Sequence, residues 1–71
     1  MSAVDTLGDA LPREMARVRD RVLPAYDAIG PAGAIAATFM RASLDAAARA
    51  MAEGDVCEMI RAHQDLKEYG T

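Results

Sequence analysis

The stretch PAGAIAATFMRASLDAAARAMAE, residues 31–53, decides the fold. Proline is tolerated at the first position of a helix, and Gly54 directly after the stretch supplies a typical C-terminal stop. At about 100° per residue, its charged residues fall in one narrow stripe. The rest of the circumference is apolar, so this helix must contact two neighbours. Two apolar flanks result: Ile35, Phe39, Ala42, Ala46 and Ala50 on one, and Ala36, Met40, Leu44, Ala47 and Met51 on the other.

A preceding helix is predicted over residues 10–29 by apolar residues at coiled-coil spacing. Pro24 lies inside this pattern and predicts a kink near Asp20–Pro24, because proline removes a backbone hydrogen bond. Gly30-Pro31 ends the helix with a left-handed cap. Leu23 points away from the pattern, which indicates a second contact surface. The members of the pattern form a seam: Leu11, Met15, Val18, Val22, Ala25 and Ile29.

A third helix is predicted over residues 56–69, where Asp55 and Glu58 form a variant of the capping box. Residues 1–9 are expected to be a flexible arm, with Asp9 as a cap for the helix that follows, and residues 10–71 a single helical domain. The fold class is therefore all-α, either a three-helix antiparallel bundle or a helical hairpin with an extra N-terminal helix. The apolar face expected on the third helix consists of Val56, Met59, Ile60, His63 and Leu66.

Length and cysteine content restrict how so small a chain is stabilised. Its 71 residues make one domain with a small core. A single cysteine excludes an internal disulfide, and one cysteine with one histidine cannot form the usual four-ligand zinc site. Small scaffolds without such cross-links depend on close helix packing or on association. We therefore expect a homodimer.

The net charge of −3 disfavours binding to nucleic acid and to anionic membranes. The chain contains only three aromatic side chains for base stacking. No apolar stretch approaches the 18 residues that a bilayer span needs, and the first ten residues lack the basic start of a signal peptide. A lone thiol without an export signal is typical of a cytoplasmic protein.

The sequence predicts no catalytic residue, no metal ligand and no cofactor. His63 is the one side chain that titrates near neutral pH, but no nucleophile or carboxylate stands at a spacing that fixes a catalytic pair. Cys57 lies in the first turn of the third helix beside two carboxylates, which oppose thiolate formation. The two residues are six positions apart and face different sides of the helix. We interpret both as structural.

A basic stripe and a glycine-rich turn leave one alternative open. Arg13, Arg17 and Arg21 share a helical stripe, and Gly30–Gly33 opens a helix that could present backbone N–H groups to an anion. Together they would bind a small ligand or nucleotide, or less readily a nucleic acid. In the competing interpretation the arginines form a solvated helix face, and residues 30–33 only connect two helices and bind no ligand. The candidate interaction surface combines basic and apolar residues: Arg13, Arg17, Arg21, Leu23, Met40, Leu44, Met51 and His63.

Several of the residues that begin or end helices, together with several core residues, also form a pattern of their own. They are Tyr26, Ile29-Gly30-Pro31-Ala32-Gly33, Met40, Leu44, Ala47, Gly54-Asp55, Met59 and Leu66-Lys67. Over residues 17–67 this pattern resembles small orphan proteins of tailed phages and proteobacterial prophages. The resemblance carries over no catalytic residue and implies an accessory protein that binds and blocks a host component. We therefore expect a non-enzymatic helical interaction protein that binds a host protein.

Overall fold

The computed structural model describes residues 6–69, and this range consists of helices and short connections. Helix α1 spans Leu7–Arg17, a π-helical segment spans Val18–Val22, and α2 spans Leu23–Ala28. These three run on without a break, so they form the single first helix that the seam predicts. Helix α3 spans Pro31–Glu53 and α4 spans Val56–Lys67. The all-α fold class is confirmed, as a small bundle with α4 packed against both α1 and α3.

The π-helical segment is the structural response to Pro24. In an α-helix the proline ring collides with the carbonyl four residues earlier, here that of Asp20. The backbone widens instead, and the Leu23 N–H donates to the Val18 carbonyl five residues back. The predicted disturbance near Asp20–Pro24 is therefore a widened turn.

The wider turn holds one additional residue, which changes the side of the helix that later residues face. Beyond Val22 the predicted seam positions Ala25 and Ile29 are exposed, and Ile29 keeps 57% of its accessible surface. Leu23 and Tyr26 pack against the core in their place. The prediction that Leu23 points to a second contact surface is thus wrong, because the heptad pattern assumed an unbroken α-helix.

Two glycines set the connections between the helices. Gly30 has φ 71° and ψ −140°, a conformation open essentially to glycine, and it starts α3 at Pro31. Gly54 adopts the left-handed conformation, with φ 68° and ψ 26°, and ends α3 as predicted. The Asp55 carboxylate then accepts the Glu58 N–H at 3.2 Å, which confirms the cap of α4. The reciprocal half of the capping box is absent here, because the Asp55 N–H donates to the Ala50 carbonyl at 3.0 Å.

The outer helix ends differ from the prediction by a few residues. Helix α1 begins at Leu7 after an N-cap at Thr6, so the last three residues of the predicted arm are helical. Asp9 lies within the first turn of α1, where its carboxylate accepts the Thr6 hydroxyl at 3.2 Å. Helix α4 ends at Lys67, two residues before the predicted Tyr69. The remainder of the predicted arm, residues 1–5, and residues 70–71 lie outside the described range.

Helix α4 presents a different face to the core than predicted. Ala62 and Leu66 are buried and Met59 packs beside them, whereas Val56 and Ile60 stay 60% and 47% exposed. Because α4 sits between two helices, its inward face centres on the small Ala62, which allows close approach to both. The larger Val56 and Ile60 are left on the outer flank.

Unequal helix lengths leave one end of the bundle thinner than the other. Helix α3 has 23 residues and α4 only 12. The C-terminal end of α4 reaches the middle of α3, where the Tyr69 hydroxyl and the Ser43 hydroxyl lie 2.9 Å apart. The C-terminal half of α3 therefore packs against α4, and the N-terminal half packs against α2.

Candidate functional site

An exposed apolar row follows one flank of α3. It consists of Ile35, Phe39, Ala42 and Ala46, which we call the α3 row. Ile35 is 72% exposed and Phe39 is 62% exposed, and both alanines are exposed as well. Isolated apolar side chains on a surface are ordinary, but two large ones one helical turn apart form a contiguous patch.

The opposite flank of α3 is the one that the fold buries. Met40 retains 1% of its accessible surface, and Leu44 and Met51 are half-buried against the core. Of these three predicted surface residues, Met40 is therefore inaccessible to a partner, and Leu44 and Met51 keep only part of their surface exposed. Both flanks of α3 are apolar in sequence, and the bulkier flank fills the space between α1, α2 and α4. The smaller flank faces outward from Ile35 to Ala46, and only its last residue, Ala50, is buried.

Arg17 has a structural task that the sequence does not reveal. Its guanidinium donates to the carbonyls of Leu66 and Tyr69 at 3.0 and 2.9 Å, and also to Glu14 at 3.1 Å. The last carbonyls of a helix lack intrahelical partners and carry partial negative charge. Arg17 therefore caps the C-terminal end of α4 and fastens it to α1.

Arg17, the central residue of the predicted arginine stripe, lies well away from the Gly30–Gly33 turn along the first helix. Arg17 and the end of α2 are 11 residues apart in sequence, about 16 Å along a helix. The Gly33 N–H donates to the Gly30 carbonyl at 3.0 Å, and Gly33 itself is buried against α2. Arg13 and Arg21 are exposed. The structure thus does not bring Arg17 and this turn together around one small ligand.

Charged side chains elsewhere form pairs at the surface. Arg41 binds Asp27 on α2 at 2.9 Å, and Arg61 binds Glu58 at 2.7 Å. On the π-helical segment, the Arg19 guanidinium donates to the Asp20 carboxylate at 2.9 Å, and this hydrogen bond lowers the pKa of Asp20. These exposed pairs fix local geometry and add little to stability.

Cys57 and His63, the two side chains considered for nucleophilic or acid–base chemistry, both lie on α4. Cys57 is an exposed free thiol in the first turn of α4, and His63 is half-buried on the same helix. Within residues 6–69 no three His, Cys, Asp or Glu side chains come together as a metal site would require.

A cavity of 280 Å³ adjoins the α3 row at its alanine end. Ala46 and Ala62 provide its apolar part, and Glu58, Arg61 and Asp65 of α4 line it with charge. The row and this cavity share Ala46, so they form one continuous surface. Its two large side chains project at one end, and its recess lies at the other.

Comparison of the chain with models of known protein families, with curated proteins and with solved structures finds no match. None of the helices in the described range has both the length and the apolar character that crossing a membrane requires. The geometry of the α3 row is therefore the basis for assigning a function.

Proposed function

We propose that this chain is a non-catalytic helical interaction protein that acts by binding another protein through the α3 row. The observation that carries the proposal is the exposure of Ile35 and Phe39, 72% and 62%, on one face of one helix. Removing apolar surface from water stabilises an association by about 25 cal/mol per Å². Covering the α3 row with another protein would remove its apolar surface from water and so stabilise the complex.

The shape of the row indicates the chemistry of its partner. The four row positions carry no charge, and their spacing of 4, 3 and 4 residues matches a second helix packed lengthwise along α3. A suitable partner presents an apolar helical stripe with small residues opposite Ile35 and Phe39. Charged neighbours such as Asp45 and Arg49 would lie at the rim.

A host protein is the target that we assign to this surface. The resemblance to prophage accessory proteins supports this assignment, as do the small size and the net charge of −3. The exposed Cys57 thiol is compatible with a reducing compartment, which supports a cytoplasmic location. The proposal assigns no catalytic role to His63 or Cys57 and requires neither a metal nor a cofactor.

The test compares binding by three variants of the tagged protein. Phe39→Asp and Ile35→Asp place a charge in the row, and Ile60→Asp makes the same change on the outer flank of α4. Proteins captured from a host lysate are identified by mass spectrometry, and a candidate is then purified and its dissociation constant measured by calorimetry. Buried aromatic anchors dominate interface energies, so Phe39→Asp should weaken binding by about 100-fold.

The control decides whether the row is responsible. Ile60→Asp should leave the dissociation constant within about twofold of the original value, because surface changes outside an interface are nearly neutral. Equal binding by all three variants would contradict the proposal. Recovery of the bait alone, in every lysate tested, would also contradict it and would direct the search to small ligands.

A further inference from the structure

We propose that the α3 row also pairs with the α3 row of a second copy of this chain, in antiparallel orientation. In this pair Ile35 of each copy lies on Ala46 of the other, and Phe39 lies on Ala42. The inference rests on the proposed function, since it names one partner of the same surface.

The order of residue sizes in the row favours the antiparallel arrangement. Along α3 the row reads large, large, small, small: Ile35, Phe39, Ala42 and Ala46. A two-fold axis that passes between Phe39 and Ala42 sets a large residue opposite a small one in each of the four layers. Such alternation fills an interface evenly. A parallel pair would instead stack Phe39 on Phe39 and leave alanine opposite alanine.

The cavity at the alanine end is the seat for the incoming Ile35. Ala46 belongs both to the row and to the cavity, whose other apolar lining residue is Ala62. An isoleucine that enters there covers Ala46 and the 8% of Ala62 that is still exposed, and the aliphatic stem of Arg61 can extend along its flank while the charged head stays in water. The recess is therefore completed by Ile35 of the second copy.

The antiparallel pair also adds a packing partner to the thinner end of each bundle, where the N-terminal half of α3 lies. In one copy the residues that follow α4 reach α3 at Ser43, near its middle, and Ile35 and Phe39 in the N-terminal half of α3 stay exposed. Antiparallel pairing brings this half alongside the C-terminal half of the other α3, next to the second copy's α4. Each thin end is then supported by the thick end of the other copy, as a closed two-fold dimer requires.

The available area sets the expected strength of the pair. Taking the exposed fractions of Ile35 and Phe39 with the two alanines, the row offers on the order of 300 Å² of apolar surface per copy. A standard stable interface buries about 800 Å² per partner. Rim residues add to the row, but the total stays at the low end. The dimer should therefore be weak, form only towards the upper micromolar range and depend on concentration.

Sedimentation equilibrium of the full chain tests whether the pair forms. The apparent mass should rise from that of one 7.6 kDa chain towards twice that value as concentration increases through the micromolar range. Phe39→Asp should raise the dimer dissociation constant by about 100-fold, because the charge enters two layers at once. Ile60→Asp should leave it unchanged. Circular dichroism confirms folding of each variant, which is expected because Phe39 is exposed in the single chain.

Cysteine cross-linking tests the orientation. In a Cys57→Ala background, one batch carries Ile35→Cys and a second batch carries Ala46→Cys. A disulfide needs Cα atoms within about 7 Å. In the antiparallel pair position 35 of one copy meets position 46 of the other and never position 35, so oxidised dimers should form when the batches are mixed and not from either batch alone.

The outcomes separate this inference from the proposed function. Cross-linking within each batch alone would mean a parallel pair and overturn the inference. A chain that stays monomeric at all concentrations up to about 1 mM would overturn it as well. In that case row-dependent binding to a purified host protein would still support the proposed function. A dimer that Phe39→Asp leaves intact would place the pairing on another surface and overturn this inference, whereas the proposed function would fail only if Phe39→Asp also left host-protein binding intact.

Discussion

Gly33→Ala tests the close approach of α2 and α3 that the fold requires. A Cβ atom at position 33 would lie 2.0 Å from the Tyr26 carbonyl oxygen and 2.7 Å from the Ile29 Cγ1 atom. Non-bonded contacts under 3.0 Å essentially never occur for real Cβ atoms, so the carbonyl would have to retreat by at least 1.0 Å. That oxygen belongs to the backbone of α2 and accepts the Ile29 N–H, so it cannot move alone.

The magnitude follows from two opposing effects. Overpacking against a rigid neighbour costs about 3 kcal/mol, at the upper end of the usual range. Replacing glycine by alanine within a helix returns up to about 1 kcal/mol of propensity. The net loss is about 2 kcal/mol, and in a domain of this size it lowers the Tm by roughly 8–16 °C. Urea unfolding at 25 °C, followed by circular dichroism at 222 nm, measures the free energy of unfolding directly.

Gly8→Ala is the matched control, because it makes the same change at a helical position where the added Cβ atom meets no close neighbour. Its Cβ atom would meet Thr6 Oγ1 at 3.6 Å, an ordinary van der Waals contact. It should therefore leave the protein as stable as before or add a few tenths of a kcal/mol. If Gly33→Ala were as stable as the original chain, α2 and α3 could not be in contact at Tyr26, and the hairpin described here would be refuted.

Three further predictions concern single side chains. Arg17→Ala should lower the free energy of unfolding by about 1–2 kcal/mol, because three hydrogen bonds to a charged donor are lost; exposed Arg21→Ala should stay within about 0.5 kcal/mol in the same urea titration. Asp55→Ala should cost about 1 kcal/mol by removing the cap of α4, and Asp55→Asn should restore most of it. The Asp20 carboxyl, titrated by NMR, should have a pKa below its ordinary value, and Arg19→Gln should raise it again. Because the folded pKa is the lower one, this contribution to stability is present above the unfolded pKa near 3.9 and is lost as pH falls through the folded value.

The sequence predicts the bounds of α3 well, because its end signals are covalent properties of single residues. Pro31 cannot continue a preceding helix but suits a first turn, and Gly54 reaches positive φ without strain. Asp55 caps α4 for a similarly local reason. Such signals act within one turn of the chain. They are therefore readable without knowing what the helices pack against.

The site depends on relations that no local pattern contains. Both flanks of α3 are apolar, and only the placement of α1, α2 and α4 decides that Met40 is buried and Phe39 exposed. The π-helical turn moves Tyr26 into the position that a regular heptad assigns to Ala25. Arg17 finds the carbonyls of Leu66 and Tyr69 across 49 and 52 residues of sequence. These outcomes arise from tertiary packing, which overrides a helical pattern drawn from the sequence alone.

The most direct test of the α3 row as the surface that pairs with a second copy is an NMR dilution series of the labelled full chain. It reports every backbone amide without assuming which surface is involved. We expect concentration-dependent shifts that are largest at Ile35, Phe39, Ala42 and Ala46, with smaller shifts at Arg61 and Asp65 beside the recess. Spectra that stay unchanged over the whole series, or shifts centred on the outer flank of α4 around Ile60, would contradict the pairing of two α3 rows.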